Sequence, residues 1–394
     1  MFLVLAALLT FQSVDAGLPH TGMWRHGFAV ADMNGDGRVD LVFTSPRKKP
    51  GPPAIFLNEG NLRFARWEEA QFPSEIGFDY GAVVAADFDG NGAMDLAVGV
   101  HLSGVLVLLS DGHGTFSAVS EGFTYPSTFS SRALAVTDWN GDGRLDVAAL
   151  SDGPRPLSSV KLGVTIFENL GSAWRQTRAT ASDGIFGDSI AAGDVDGDGL
   201  PDLVTASHNT RDQRVLRLGS DGALVRRALE TMTPSAVVRA VEMADFDDDG
   251  LDEIVIGYTA GSPGVGSLEL ISLPSASRPA RRLWSQEGAR VAAIATGDLN
   301  GDGALDIVAA LADGRLLTFN GDGHSSFSRG ADISPSAWRN GCDAYAVRVA
   351  DLDADDRGEI IATFADESGC ASGGGIEVWR TGSEESKRRR SVRH

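Results

Sequence analysis

One phrase recurs seven times along the chain, and it restricts the fold more than any other feature. It reads ADMNGDGRVDLVF from Ala31, ADFDGNGAMDLAV from Ala86, TDWNGDGRLDVAA from Thr137 and GDVDGDGLPDLVT from Gly193. It continues as ADFDDDGLDEIVI from Ala244, GDLNGDGALDIVA from Gly297 and ADLDADDRGEIIA from Ala350. The leading aspartates recur every 51 to 56 residues. A period of this length marks an array of supersecondary units, each burying its apolar face only against its neighbours.

A short apolar run precedes each phrase, such as Ala82-Val83-Val84-Ala85, and another follows it, such as Leu96-Ala97-Val98. A third run comes next (Val105 to Leu109, Val164 to Phe167, Leu316 to Phe319, Ile376 to Trp379), and several repeats end in a Gly-rich turn and a fourth. Four short strands per repeat, joined by Gly/Asn/Asp turns, predict an all-β, seven-bladed β-propeller with four-stranded blades. A parallel β-helix is the runner-up, but its repeats are much shorter. The last repeat lacks a fourth strand after Trp379, and Gly17 to Trp24 is the expected segment to complete it and close the ring.

The phrase itself is a cation loop. In the first copy, Asp32, Asn34, Asp36 and Asp40 place side-chain oxygens at positions 1, 3, 5 and 9, and Arg38 offers its main-chain carbonyl at position 7. Ca²⁺ takes six to eight hard oxygen ligands, which a tight loop with alternate residues turned inward supplies. The same positions recur as Asp87, Asp89, Asn91, Ala93, Asp95; Asp138, Asn140, Asp142, Arg144, Asp146; and Asp194, Asp196, Asp198, Leu200, Asp202. They recur again as Asp245, Asp247, Asp249, Leu251, Glu253; Asp298, Asn300, Asp302, Ala304, Asp306; and Asp351, Asp353, Asp355, Arg357, Glu359. Up to seven structural Ca²⁺ ions are therefore expected. Gly37 at position 6 permits the sharp reversal; the seventh copy has Asp356 there, which predicts a strained or weaker loop. EF-hands are excluded, because position 12 carries no acid and strands flank the loop. Asp-Asn-Gly clusters are also good turn formers, but seven copies, each with a position-9 carboxylate, exceed what turns require.

The formal charge of −20 follows in large part from these loops, since 24 of the 54 acids occupy positions 1, 3, 5 and 9 of them. An acidic surface argues against nucleic acid as partner, and no run approaches the ~18 apolar residues of a membrane span. The N-terminal MFLVLAALLTFQSVDA predicts a signal peptide over residues 1–16, with cleavage after Ala16 and a secreted or extracytoplasmic location. The competing reading takes this run as a strand, since Leu8-Leu9-Thr10-Phe11 repeats as Leu316-Leu317-Thr318-Phe319. The propeller then spans 17–380, and the basic end 381–394, with Lys387 to Arg390, is read as a disordered tail. Cys342 and Cys370 are the only cysteines. In an exported chain they are expected to pair, stabilising the fold by about 3–4 kcal/mol; without export they stay as thiols.

The D-x-[DN]-x-[DN]-G-x-x-[DE] loop between apolar strands, with Phe186-Gly187 ahead of Asp194 and Phe28-Ala29-Val30 ahead of Asp32, resembles the FG-GAP and VCBS repeats of integrin α-chain propellers and many exported bacterial proteins. The Gly-Ala-Pro element of FG-GAP is absent, so the VCBS type is the nearer likeness. The resemblance implies a non-enzymatic adhesion or recognition module, monomeric, with structural Ca²⁺ and a protein or carbohydrate ligand on the face opposite the loops. That face would present Arg47, Lys48, Tyr80, His101, Asp152, His208 and Trp338. His101 and His208 fall at equivalent places, six residues after Asp95 and Asp202, and are read as surface histidines on polar loops.

Two catalytic readings remain to be weighed. Phe186-Gly187-Asp188-Ser189-Ile190 resembles the nucleophile block of GDS-type esterases, but it occupies the first strand of repeat four, and no suitable Asp-x-x-His follows. A polysaccharide lyase or other carbohydrate-active enzyme, or a lectin, on the same scaffold is the alternative to an adhesion module. A lyase would need a base among clustered basic and aromatic residues.

Overall fold

The computed structural model describes residues 9–382 except 15, 120, 124–128, 154–161, 180–181, 209–213, 219–223, 229–232, 234–235, 273–279 and 367–368. Side chains of 209–232 are likewise outside the description, as is the basic tail beyond 382. The chain forms seven four-stranded antiparallel sheets, the blades of a β-propeller. The first strand of each repeat lies innermost in its sheet: Ala29–Ala31, Gly81–Ala86, Ser131–Thr137, Ile190–Gly193, Val237–Ala244, Val291–Gly297 and Asp343–Ala350. Each runs toward its carboxylate loop, so all seven loops share one end of the ring.

Side chains alternate across a strand, yet second strands such as Asp95–Val100 and Asp146–Ser151 are buried along their whole length. The reason is that both faces of a blade pack on neighbouring blades. The apolar core divides into seams between adjacent sheets. Val42 and Ile55 of blade one meet Val83 and Leu96 of blade two, and Val204 of blade four meets Val241 and Ile254 of blade five. Val308 and Leu316 of blade six meet Val347 and Ile360 of blade seven. The ring is sealed by Phe28, Leu41 and Phe56 of blade one against Leu352, Ile361 and Ile376 of blade seven. Burying one such side chain contributes roughly 1.5–3 kcal/mol.

The last blade is completed by Thr10–Val14, which pairs antiparallel with Gly374–Gly382 from Thr10↔Gly382 to Val14↔Val378. The expected closing segment, Gly17 to Trp24, is thereby corrected. Left-handed Gly17 (φ 73°) and Gly22 (φ 101°) prevent it from extending as a strand, and proline at 19 removes a donor. It crosses the seam between blades one and seven instead, where the Pro19 carbonyl accepts from Ile376 N at 2.8 Å and Leu18 and Trp24 join the core. Cleavage after Ala16 would remove the closing strand. Cys342 and Cys370 form a disulfide.

Candidate functional site

At the loop end, the position-1 aspartate organises each turn. Asp32 accepts from Gly35 N at 2.8 Å and Gly37 N at 2.7 Å, and Asp298 accepts from Gly301 N and Gly303 N, both at 2.7 Å. The seventh loop keeps this shape: Asp356 N donates to Asp351 Oδ2 at 3.0 Å. It does so with Asp356 at φ 64° and Ala354 at φ 59°, a left-handed backbone that costs a non-glycine residue about 1–2 kcal/mol.

The position-9 acid has a second task that spacing alone did not reveal. Asp40 accepts from Met33 N at 2.9 Å and Asn58 N at 2.7 Å, tying the loop's start to the end of the third strand. Asp95, Asp146 and Asp306 repeat the pattern with Ser110 N, Asn169 N and Gly321 N. Burial, with repulsion from the loop's other acids, pushes Asp40, Asp95 and Asp146 up to about 6. It pushes Asp202 and Asp306 to about 7 and Glu359 to about 8. Buried, crowded carboxylates are a donor set that a hard cation relieves.

In four blades the carboxylates converge: Asp87, Asp89, Asp95; Asp194, Asp196, Asp202; Asp245, Asp247, Glu253; and Asp351, Asp353, Asp355 each bring oxygens within 4.8 Å of one another. These groups could hold metal ions. In blades one and three the position-7 residue does more than offer a carbonyl, since the guanidiniums of Arg38 and Arg144 fold onto Asp36 and Asp142.

At the opposite end, the starts of the inner strands enclose a cavity of ≈ 290 Å³ at the mouth of the central channel. The residue six places before each leading aspartate is His26, Gly81, Arg132, Asp188, Arg239, Ala292 or Tyr345, and all but Gly81 line the cavity. In blades three, five, six and seven that residue is the extra one in a β-bulge, where the register skips Arg132, Arg239, Ala292 and Tyr345. A bulge re-aims a side chain, and here it turns four residues into the channel. The fixed offset was readable in the sequence; its meaning was not, because bulges leave no motif.

Around this mouth, the sequence candidates from blades one to four become one network. The Arg47 guanidinium lies 5.9 Å from the Tyr80 ring centre. Tyr80 is stacked between His26, at 5.6 Å, and His101, at 4.5 Å. His101 Nδ1 is 3.2 Å from Asp152 Oδ2, and Arg132 bridges Asp152 and Asp188 at 3.6 and 2.9 Å. His208 Nε2 lies 3.5 Å from Asp188.

The two histidines are therefore partly covered and carboxylate-paired, rather than free on polar loops. Burial would raise Asp152, but hydrogen bonds to His101 and Ser130 and the charge of Arg132 hold it below the usual range. Burial, with the charges of Arg132 and Arg25, drives His26 far down, so it stays neutral. Burial also lowers His208 against the pull of Asp188. Lys48 is exposed and outside this network. Trp338 sits apart at the last blade, stacked on His20 at 4.6 Å.

The esterase-like stretch has a structural explanation. Ser189 Oγ bonds both the carbonyl and the N–H of Val241, at 3.3 and 3.1 Å, stapling blade four to blade five.

The family model of the FG-GAP-like repeat matches residues 32–98, 138–205, 194–256 and 298–362. No curated protein sequence matches the chain. Among solved structures, the BP39L lectin from Burkholderia pseudomallei is similar over 91% of this chain and 96% of that one, with TM-score 0.60 and 15% identity. BBS1N, solved in complex with ARL6DN, is similar over 93% and 96%, with TM-score 0.56 and 14% identity. At such identities the likeness is one of fold.

Proposed function

Because the chain belongs to the FG-GAP-like repeat family, we propose that it is a calcium-stabilised recognition module that binds a carbohydrate or protein ligand without transforming it. Position 1, 3, 5 and 9 side chains and the position-7 carbonyl would hold Ca²⁺, which supplies charge compensation and rigidity to each hairpin. The observation that carries the recognition reading is the channel mouth, where side chains from several blades converge on one cavity away from the loops. A propeller lectin of similar fold supports carbohydrate as the ligand class. A glycan array and a protein pull-down with the purified propeller test this; failure of both to capture any ligand refutes it.

One observation favours a lyase as the second reading: Tyr345, a potential base, lines the cavity with its hydroxyl accepting from Arg25 at 2.7 Å. Burial, however, raises the phenol against the charge of Arg25 and keeps it protonated. Release of unsaturated product from an acidic polysaccharide would favour the lyase. Export is proposed on the disulfide, which persists in oxidising compartments. Finding the chain in the cytoplasm with free thiols would refute it.

The calcium proposal has its own readout. A cation bound only by the folded ring adds about 2.7 kcal/mol per site at a hundredfold excess over Kd. The melting temperature is expected to fall when EDTA replaces Ca²⁺, and equal values in the two would reject calcium as a structural partner.

A further inference from the structure

The mouth cavity is cationic in a chain whose formal charge is −20. Five guanidiniums line it, from Arg25, Arg132, Arg239, Arg290 and Arg348, against the carboxyl groups of Asp188, Glu242 and Asp343. Their partners account for the arginines unequally. Arg132 is held between two aspartates, Arg25 lies over the Tyr345 ring at 4.7 Å, and Arg290 approaches Asp343 only to 3.9 Å.

Arg239 differs from these. Its β-bulge turns it into the channel. Its buried Nε lacks a hydrogen-bond partner, as do those of Arg25 and Arg132. Arg25, however, is engaged by Tyr345 and Arg132 by its aspartates, whereas among the described residues no hydrogen bond or ion pair engages the Arg239 guanidinium. His26 Nε2, on another wall of the cavity, is likewise buried without a hydrogen-bond partner. An unpaired buried donor costs free energy that a ligand acceptor recovers. The planar fork of guanidinium matches a carboxylate, sulfate or phosphate in bidentate fashion. Ala292, at the same offset in the adjacent blade six, also lines the cavity and brings only a methyl group to it.

We propose that the channel mouth is an oxyanion-binding site, with Arg239 as the principal contact and His26 on the opposite wall, for a small polar molecule carrying a carboxylate, sulfate or phosphate. The proposal rests on the reading of this face as the ligand face and names the chemistry it selects. A volume of ≈ 290 Å³ accommodates a body the size of a sugar acid. Glu242 and Arg348 line both this cavity and the next one along the channel, and so form its floor.

Isothermal titration of the Ca²⁺-loaded protein with galacturonate, sulfate, phosphate and neutral galactose tests it. At least one oxyanion is expected to bind, with galactose at least tenfold weaker. A hexuronate site ranks galacturonate first, whereas a site for the bare anion ranks sulfate or phosphate first. Arg239→Ala should weaken binding at least tenfold at an unchanged melting temperature, Arg239→Lys should recover part of it, and Arg66→Ala, in the outer strand of blade one, should change nothing. Should Arg239→Ala fail to fold, Arg239→Lys and the salt dependence of binding carry the test. Millimolar oxyanions without heat, or equal affinity in Arg239→Lys and wild type with no salt dependence, overturn the proposal. Capture of a neutral glycan on the array, with no oxyanion bound, retains the recognition reading and removes this one.

Discussion

The guanidinium of Arg339 is wholly enclosed where blade six meets blade seven. It pairs with Glu377, donates to the carbonyls of Gly314 and Ser334, and lies 4.4 Å from the Phe364 ring centre and 5.0 Å from that of Trp379. Ser13 of the closing strand donates to the same carboxylate at 2.6 Å. Removing one partner of a buried pair leaves an uncompensated charge and costs about 3–5 kcal/mol. Arg339→Met is therefore expected to destabilise by that amount in denaturant unfolding, with Glu377→Gln in the same chain restoring a large part. A single-variant loss below about 1 kcal/mol would show that the pair does not hold the seam. Nothing in the repeat pattern announces this pair, because Arg339 lies between repeats and meets Glu377 only once the blades are stacked.

Among the elements, the carboxylate loop was the most legible. Its alternation, its Gly at position 6 and its flanking apolar runs place Asp32 through Asp40 in a hairpin between the first and second strands, and the structure has one there. The division of labour inside the loop was not legible, because a position-9 acid that ligates and one that staples backbone have the same spacing. The structure shows the stapling task. Asp306→Ala should lower stability by roughly 2–4 kcal/mol even in EDTA, since Leu299 N and Gly321 N lose their acceptor. Asp302→Ala, at position 5, should cost stability chiefly when Ca²⁺ is present. Equal losses for the two variants in EDTA would contradict the staple. The channel-mouth bulges illustrate a similar limit: nothing in strand alternation marks Arg132 and Arg239 as the residues that the register skips.

On the scale of the whole ring, seven repeats announced seven blades, and the seams follow from apolar runs buried on both faces. The closing strand was only half legible: Leu8 to Phe11 repeats the strand run Leu316 to Phe319, but it overlaps a leader-like run that favoured the signal-peptide reading. A chain starting at Gly17 is expected to melt at a lower temperature than one retaining residues 1–16, and to self-associate through the uncovered edge of Gly374–Gly382. Identical melting and a monodisperse profile in light scattering would show that the strand is dispensable.

The registration of Thr10 with Gly382 also orders events in time. A segment that precedes all seven repeats must wait for the last of them before its partner exists, so six blades can mature while the seventh still lacks its rim. Sealing is then a late, long-range step, and a nascent chain that lingers before it presents a sticky margin to its neighbours.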